Sequence, residues 1–484
     1  MNAYFFEEKQ REILSLQQWN LQKISESTVG RFTDILKRLK GWDSLRINPL
    51  DFALKHKFDT DEAIGLFIYG AKVGLLNFEW SLLCPLCGGR EHSYHSLNQL
   101  EKEKYHCSLC DVDVEVEADS HLEVSFSLPK SVSGFNLNPH ASLQNYWSFF
   151  FSSYLKIPPE LAEAFRKQPP LRFIHIAPGR KANVKIGFTP IKKYRVVCLE
   201  THSIFNLFLG DKTGLRPQKI LLGHTNDGFD KKDATLAGTD GELIIANTSD
   251  KTIGCLIASP DSVYLQEVLK EYPAYFEPFL TGKMMLNNQI FRDLFLVDNL
   301  PDDLSLKIND ITLLFTDLKG STELYDRTGD VFAYKLVQKH FKILQKVVHS
   351  NHGGIVKTMG DAIMASFNAP YDGIKAAFDM IDEMEGFNRT ADNDKNAIGL
   401  KVGLHRGNVI AVKANQALDF FGQTVNIAAR VQGLAGSGEV WITDDIMKEE
   451  AISAYFKSCG YKSVPREVVL KGVGSPLTAH LCRR

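Results

Sequence analysis

Residues 310–322 read DITLLFTDLKGST. The apolar run Ile311–Phe315 predicts a short strand that ends at Asp317, and Gly320-Ser321-Thr322 predicts a loop that opens a helix. This arrangement suits a metal-bound triphosphate. The carboxylate holds a cation, the glycine lets the backbone approach phosphate, and the free N–H groups at the helix start face the anion. On its own the signal is weak, because many strand–loop–helix junctions carry Asp and Gly.

A second stretch, residues 355–367, strengthens the interpretation. It reads IVKTMGDAIMASF, in which two strand-like runs flank a Gly360-Asp361 hairpin turn. With the helical periodicity on either side, the order becomes βαββαβ, the ferredoxin-like arrangement. There the first strand lies beside the third, so Asp317 and Asp361 should meet at one end of the sheet and form a two-metal site. The alternative is two Asp residues that only cap turns.

A third stretch, residues 419–430, reads DFFGQTVNIAAR and predicts a helix after Gly422. Asn426 and Arg430 are four residues apart and project from one face of that helix. A guanidinium fixed beside an amide suits charge that builds on a phosphorus centre. The alternative is a solvated Arg on an amphipathic helix.

Lys357 and Asp419 form a candidate base-recognition pair. Adenine offers a ring acceptor and an amino donor, which a Lys donor and an Asp acceptor complement, whereas guanine needs roughly the reverse. The alternative is an exposed strand Lys and a turn Asp.

The stretch from about residue 308 to 484 resembles a class III nucleotidyl cyclase catalytic domain. The matching segments are FTDLKGST, VKTMGDAIMASF, LKVGLHRGNVIA, LDFFGQTVNIAARV and VVLKGVG, in the order of the family. The resemblance implies an adenylate cyclase that converts ATP to 3′,5′-cyclic AMP and pyrophosphate by in-line attack of the 3′-hydroxyl on the α-phosphate. A guanylate cyclase and a catalytically inert nucleotide-sensing module are the alternatives.

The same resemblance implies roles for individual residues. Two Mg²⁺ or Mn²⁺ ions would be held by Asp317, Asp361 and the backbone carbonyl of Leu318, and Lys401 and Lys471 would contact the triphosphate. Asn426 would orient the ribose, Arg430 would stabilise the transition state, and Lys357 with Asp419 would recognise adenine. Because one domain supplies both Asp residues and the other supplies Lys357, Asp419, Asn426, Arg430 and Lys471, a homodimer with two equivalent shared sites follows.

Composition sets the class of protein. The 484 residues carry a net charge of −2, so a nucleic-acid partner is not expected. No run approaches ~18 apolar residues, and the N-terminus does not resemble a signal peptide, so no membrane association is expected. Eight Cys in so long a chain do not suggest a disulfide framework, and the sequence predicts a cytoplasmic protein.

The sequence predicts a multidomain α+β chain. Its predicted parts are a helical or winged-helix-like module at 1–78, a zinc ribbon at 79–130, a β-rich, sandwich-like domain at 131–260, a helical connector at 261–300 and the cyclase domain at 301–484. The ribbon rests on two CxxC pairs, Cys84/Cys87 and Cys107/Cys110, whose spacing is typical of a four-thiolate structural Zn²⁺ site; a redox-active dithiol is the alternative.

The front region, with GLFIYGAKVGLL and CPLCGG, also resembles an uncharacterised domain that precedes bacterial cyclase domains. From its position before the catalytic domain we expect this region to receive an unidentified regulatory ligand or protein, and the connector to pass that input on by changing the approach of the two catalytic domains. A transcription regulator built on the helical and zinc segments is the alternative.

Overall fold

We describe the protein from a computed structural model. It describes residues 3–17, 23–94, 104–110, 112–134, 136–167, 171–187, 193–212, 218–259, 263–295, 305–320, 326, 329–390, 397–414 and 417–483. Within these residues, no helix combines the length and the apolar character that are needed to cross a membrane.

Four helices open the described chain, in agreement with the helical pattern of the sequence. They are α1 (Ala3–Leu16), α2 (Glu26–Arg38), α3 (Pro49–His56) and α4 (Thr60–Lys72). Local capping explains their starts. The carboxylate of Asp59 accepts the N–H groups of Asp61 and Glu62 at the start of α4, and Pro49 at the first turn of α3 follows the capping residue Asn48.

A small antiparallel sheet and a separate hairpin follow the helices. The strands are β1 (Asn77–Leu83), β2 (Arg90–Tyr94), β3 (Lys104–Cys107), β4 (Val112–Glu115) and β5 (Leu122–Ser127). The sheet has the order β2-β1-β5, and β3 pairs with β4. Trp80 and Phe126 of this sheet share one hydrophobic core with Phe32 and Phe67 of the helices. The sequence boundary near residue 78 is therefore not a break in packing.

The next region is rich in β-structure after three short helices. The elements are α5 (Lys130–Ser133), α6 (Leu143–Phe150), β6 (Leu155–Lys156), α7 (Pro159–Arg166), β7 (Arg172–Ile176), β8 (Lys181–Ile186), β9 (Lys193–Cys198), β10 (Ser203–Lys212), β11 (Gln218–Thr225), β12 (Gly228–Phe229), β13 (Asp233–Gly238), β14 (Gly241–Asn247) and β15 (Ile253–Ala258). Strands β7 to β15 form two sheets, β13-β10-β9-β15-β7 and β12-β11-β14-β8, whose facing side chains build one core, as in a sandwich.

Within residues 263–295, the connector has three helices and one short strand. They are α8 (Val263–Glu271), β16 (Tyr275–Phe276), α9 (Gly282–Leu286) and α10 (Gln289–Phe295). Met285, Leu286, Ile290 and Phe291 are buried in the same core as the N-terminal helices. The apolar residues of the connector therefore form a packing surface.

The C-terminal region begins with the predicted βαββαβ order. The elements are β17 (Leu306–Lys319), α11 (Asp330–Ser350), β18 (Gly353–Met359), β19 (Ala362–Phe367), α12 (Pro370–Thr390), β20 (Gly399–Ala414), β21 (Ala417–Phe421), α13 (Gln423–Gln432), β22 (Glu439–Thr443), α14 (Asp444–Met447), α15 (Glu450–Cys459), β23 (Lys462–Val468) and β24 (Leu477–Arg483). The sheet runs β18-β19-β17-β20-β22-β24-β23, with β21 on β20. The first strand thus lies beside the third, as the sequence predicts.

The two faces of this sheet are covered differently. Leu314 and Leu318 of β17 pack in a core with α11 and α12. Leu313 and Phe315 of the same strand pack in the core that contains Ala428 of α13 and the N-terminal and connector residues. Because side chains alternate along a strand, one face of the catalytic sheet belongs to its own domain and the other is shared with the front of the chain.

Candidate functional site

Asp317 lies near the end of β17, where the register places it directly opposite Lys401 of β20. Nζ of Lys401 is 3.0 Å from Oδ2 of Asp317. Asp317 is two residues beyond Phe315, so alternation directs it to the sheet face that the N-terminal region covers. The sequence reasoning placed both residues at the site but did not foresee that they form an ion pair.

Asp361 occupies the two-residue turn between β18 and β19, beside Gly360, whose φ of +62° favours glycine. The turn lies next to the end of β17, because the N–H of Ile363 donates to Oγ1 of Thr316 at 3.1 Å. Oδ2 of Asp361 is buried, and within the described residues it has no hydrogen-bond partner. A buried carboxylate oxygen without a partner is costly, and a divalent cation would satisfy it. The residues present therefore fit a metal ion.

The base-recognition pair, Lys357 and Asp419, is brought together across β18 and β21. Nζ of Lys357 lies 2.7 Å from Oδ2 of Asp419. Oδ1 of Asp419 accepts the N–H of Phe420 at 2.8 Å, which fixes the carboxylate on its strand. The pairing of β18 with β19 is irregular between Ile355 and Lys357, and such a bulge re-aims the side chain that follows it.

Helix α13 begins after Gly422, whose φ of +135° suits glycine, and it carries the remaining predicted polar groups. Asn426 is exposed on this helix and Arg430 is half-buried. The guanidinium of Arg430 lies against the loop after β23, since a Cβ at Gly472 would be 3.2 Å from its Nη1. Lys471 precedes that glycine and is exposed. The loop after β23 therefore lies beside the polar face of α13 that the sequence predicts.

The predicted phosphate-binding loop, Gly320-Ser321-Thr322, is described only in part. Gly320 adopts a φ of +75°, a conformation that favours glycine, at the end of β17. The side chain of Leu318 is buried. The predictions for Ser321 and Thr322 lie outside the described residues.

The four ribbon cysteines converge although they are distant in sequence. Their sulfur atoms all lie within 4.8 Å of one another. Sγ of Cys84 is 3.9 Å from that of Cys110, and Sγ of Cys87 is 3.7 Å from that of Cys107. In a tetrahedral site with Zn–S bonds of about 2.3 Å, sulfurs are about 3.8 Å apart. The donor set therefore fits a zinc ion.

Sequence reasoning missed two residues of α10 that contact the base-recognition strands. The guanidinium of Arg292 lies 5.2 Å from the ring centroid of Phe420, and the side-chain oxygen of Gln289 accepts the N–H of Ile355 at 2.8 Å. The available signal was the spacing of Gln289 and Arg292, which are three residues apart and therefore share one face of a helix.

Comparisons with known proteins match two regions of the chain. Residues 11–293 match the model of a family of unknown function (DUF5939), and residues 305–478 match the model of the adenylate and guanylate cyclase catalytic domain. Adenylate cyclase 2 of Rhizobium meliloti is 30% identical over 148 residues, which cover 28% of this chain and 40% of that protein. The adenylate cyclase of Mycosarcoma maydis is 27% identical over 160 residues, which cover 29% of this chain and 6% of that protein.

Among solved structures, the adenylyl cyclase CyaB from P. aeruginosa is similar at 19% identity and a TM-score of 0.33. The match covers 37% of this chain and 96% of that chain. The matched segments thus span less than half of the two curated relatives named above.

Proposed function

Because the chain belongs to the family of unknown function DUF5939 and carries a class III nucleotidyl cyclase catalytic domain, we propose that it is an adenylate cyclase. The reaction converts ATP to 3′,5′-cyclic AMP and pyrophosphate. We choose ATP as the substrate because of the base-recognition pair. Nζ of Lys357 lies 2.7 Å from Oδ2 of Asp419, and the lysine side chain is 37% exposed. This donor and acceptor are ready to exchange their mutual contact for the ring nitrogen and amino group of adenine.

The phosphate end of the site is supplied by the acidic pair and Lys401. Asp317, Asp361 and the backbone carbonyl of Leu318 would hold two divalent cations, which lower the pKa of the attacking hydroxyl and neutralise the triphosphate. Support comes from the buried, unpartnered Oδ2 of Asp361 in the described part of the chain. Lys401 now neutralises Asp317 at 3.0 Å; on substrate binding it is free to contact the triphosphate.

Side chains of α13 stabilise the charge that develops in the transition state. Asn426 positions the ribose, and Arg430 stabilises the five-coordinate phosphorus with Lys471 close to it along the neighbouring loop. The contact of Arg430 with Gly472 supports this role, because it limits the guanidinium to one region before substrate arrives. Each chain holds one copy of every group, so two chains would build two equivalent sites at a two-fold interface.

The remaining proposals concern the front of the chain. The cysteine cluster holds a structural Zn²⁺, since four sulfur ligands leave no open coordination position. The region matched to the family of unknown function receives a regulatory ligand or protein and acts through its shared core with the catalytic sheet.

Product analysis tests this function. The purified chain is incubated with ATP or GTP, each with Mg²⁺ or Mn²⁺, beside Asp361→Ala and the control Glu385→Ala, which removes an exposed carboxylate of α12. Cyclic AMP from wild type and control, but not from Asp361→Ala, is expected. Cyclic GMP as the main product would favour a guanylate cyclase. No cyclic product from any combination would favour the inert nucleotide-sensing module.

A further inference from the structure

Helix α10 lies against both strands that carry the base-recognition pair, and its residues Gln289 and Arg292 fall within the region matched to the family of unknown function. Arg292 is only 6% exposed. Its Nε donates to the carbonyl of Leu286 at 2.7 Å, and its guanidinium lies 5.2 Å from the centroid of Phe420. Phe420 follows Asp419 in the sequence. A buried cation thus adjoins the strand that presents the adenine acceptor.

Arg292 is shielded from solvent, and its positive charge is stabilised by nearby carboxylates. Burial lowers the pKa of Arg292 to about 10, and the carboxylates of Asp419 and Asp293 oppose that change. Nη2 is buried and, in the part of the chain that the structure describes, has no hydrogen-bond partner. Since a buried cation is stabilised by a nearby anion, the carboxylate of Asp419 favours the charged form of Arg292. An ionised Asp419 is an acceptor only, which is what the amino group of adenine requires.

Gln289, one helical turn earlier, contacts the other strand. Its side-chain oxygen accepts the N–H of Ile355 at 2.8 Å, at the irregularity of β18 that precedes Lys357. Its amide nitrogen donates to Oδ1 of Asp293 at 2.8 Å, which fixes the orientation of the amide. The neighbouring contact is tight, because any Cβ at Gly354 would collide with the carbonyl of Asn287. Gln289 therefore holds the bulge that aims Lys357.

We propose that Arg292 and Gln289 are positioning residues for nucleotide selection, which hold Asp419 and Lys357 in the geometry that accepts adenine. This inference rests on the proposed function and deepens it. The region of unknown function then contributes to substrate choice through two side chains, one for each member of the base-recognition pair.

The test measures kcat and KM for ATP and for GTP on the full chain, with equilibrium binding of both nucleotides to the same proteins. The variants are Arg292→Met, Arg292→Lys and Gln289→Ala. The matched control is Phe291→Leu, which truncates a buried side chain of α10 that stacks on Phe78.

We expect Arg292→Met to lower the ATP-to-GTP ratio of kcat/KM about tenfold, mainly through KM for ATP, because the substitution removes the buried positive charge that lies beside Phe420 and acts on Asp419. Gln289→Ala should lower it about threefold, as expected for one neutral hydrogen bond, and Arg292→Lys should recover most of the wild-type ratio. Phe291→Leu should lower the melting temperature and leave the ratio unchanged.

The outcomes separate the two hypotheses. A wild-type chain that turns over ATP, with ATP-to-GTP ratios in Arg292→Met and Gln289→Ala within twofold of its own, overturns the inference and leaves the proposed function intact. A wild-type chain without turnover overturns the proposed function. In that case the ratio of ATP to GTP binding constants is compared instead, and ratios in Arg292→Met and Gln289→Ala within twofold of the wild-type ratio overturn the inference. If Arg292→Met does not fold, the ratio of Gln289→Ala decides the inference by the same twofold criterion.

Discussion

Mixing two inactive variants is the sharpest test of a site shared between chains. In the variant Asp317→Ala, the ion pair with Lys401 and the proposed cation site are lost. In Arg430→Ala, the guanidinium that lies against Gly472 is lost. Each variant should be inactive alone, because every site in its homodimer lacks one essential group.

The expected recovery follows from counting sites. In a mixed dimer, one site combines both lesions, whereas the other takes its Asp pair from the Arg430→Ala chain and its arginine from the Asp317→Ala chain. That second site is intact. Equal amounts that exchange freely give about half mixed dimers, each with one of two sites restored, so the unfractionated mixture recovers about one quarter of wild-type activity and tandem-purified mixed dimers recover about one half.

The assay is cyclic nucleotide formation after the two variants are co-expressed with different affinity tags, and tandem purification shows that mixed dimers form. The matched control mixes Asp317→Ala with Asp361→Ala. Both lesions then fall on the same half of the site, so no dimer has an intact site and no recovery is expected. Activity below a few per cent from verified Asp317→Ala/Arg430→Ala dimers would refute a shared site.

Three further predictions concern the front region. Cys107→Ser should lose one zinc per chain by metal analysis and lower the melting temperature, whereas the exposed Cys459→Ser should do neither. Phe291→Ala should destabilise the shared core by about 3–5 kcal/mol, because a fully buried ring is removed; urea unfolding measures this value. Burial opposes ionisation of His352, but the contact with Asp61 raises the pKa of the His352 imidazole. The contact therefore stabilises the folded chain below pH 6.5, and this stabilisation is lost as the pH rises through the raised pKa. Asp61→Asn should therefore lower the urea midpoint at pH 5.5 and leave it unchanged at pH 9.

Local signals made much of the catalytic sheet predictable. Gly360-Asp361 gives a two-residue turn and Gly422 begins a helix, because each glycine adopts a φ that other residues disfavour. The βαββαβ order then places the first strand beside the third without further information. The neighbourhood of Asp317 and Asp361 follows from these features alone.

Contacts between distant segments were not predictable in the same way. The pairing of Asp317 with Lys401 depends on the register of two long strands, which no local pattern specifies. The role of Arg292 was not predictable, because an arginine among apolar residues is usually expected to extend its guanidinium to solvent. Only the packed structure shows that Arg292 is buried beside Phe420. The sequence boundary near residue 78 fails as a packing boundary for the same reason, since Trp80 and Phe32 share a core.

Alternation along β17 connects these observations to regulation. Leu313 and Phe315 face the core that contains Phe291 of the connector, and Asp317 is the next residue on that face. A ligand of the front region can change catalysis only through a difference in affinity between two arrangements of the chain. Because α10 contacts the base-recognition strands and packs on the face that carries Asp317, a shift of α10 would move nucleotide selection and cation binding together. Regulation by the front region should therefore change KM for ATP and the metal dependence in parallel, whereas a signal that altered only dimer formation would change neither at saturating protein concentration.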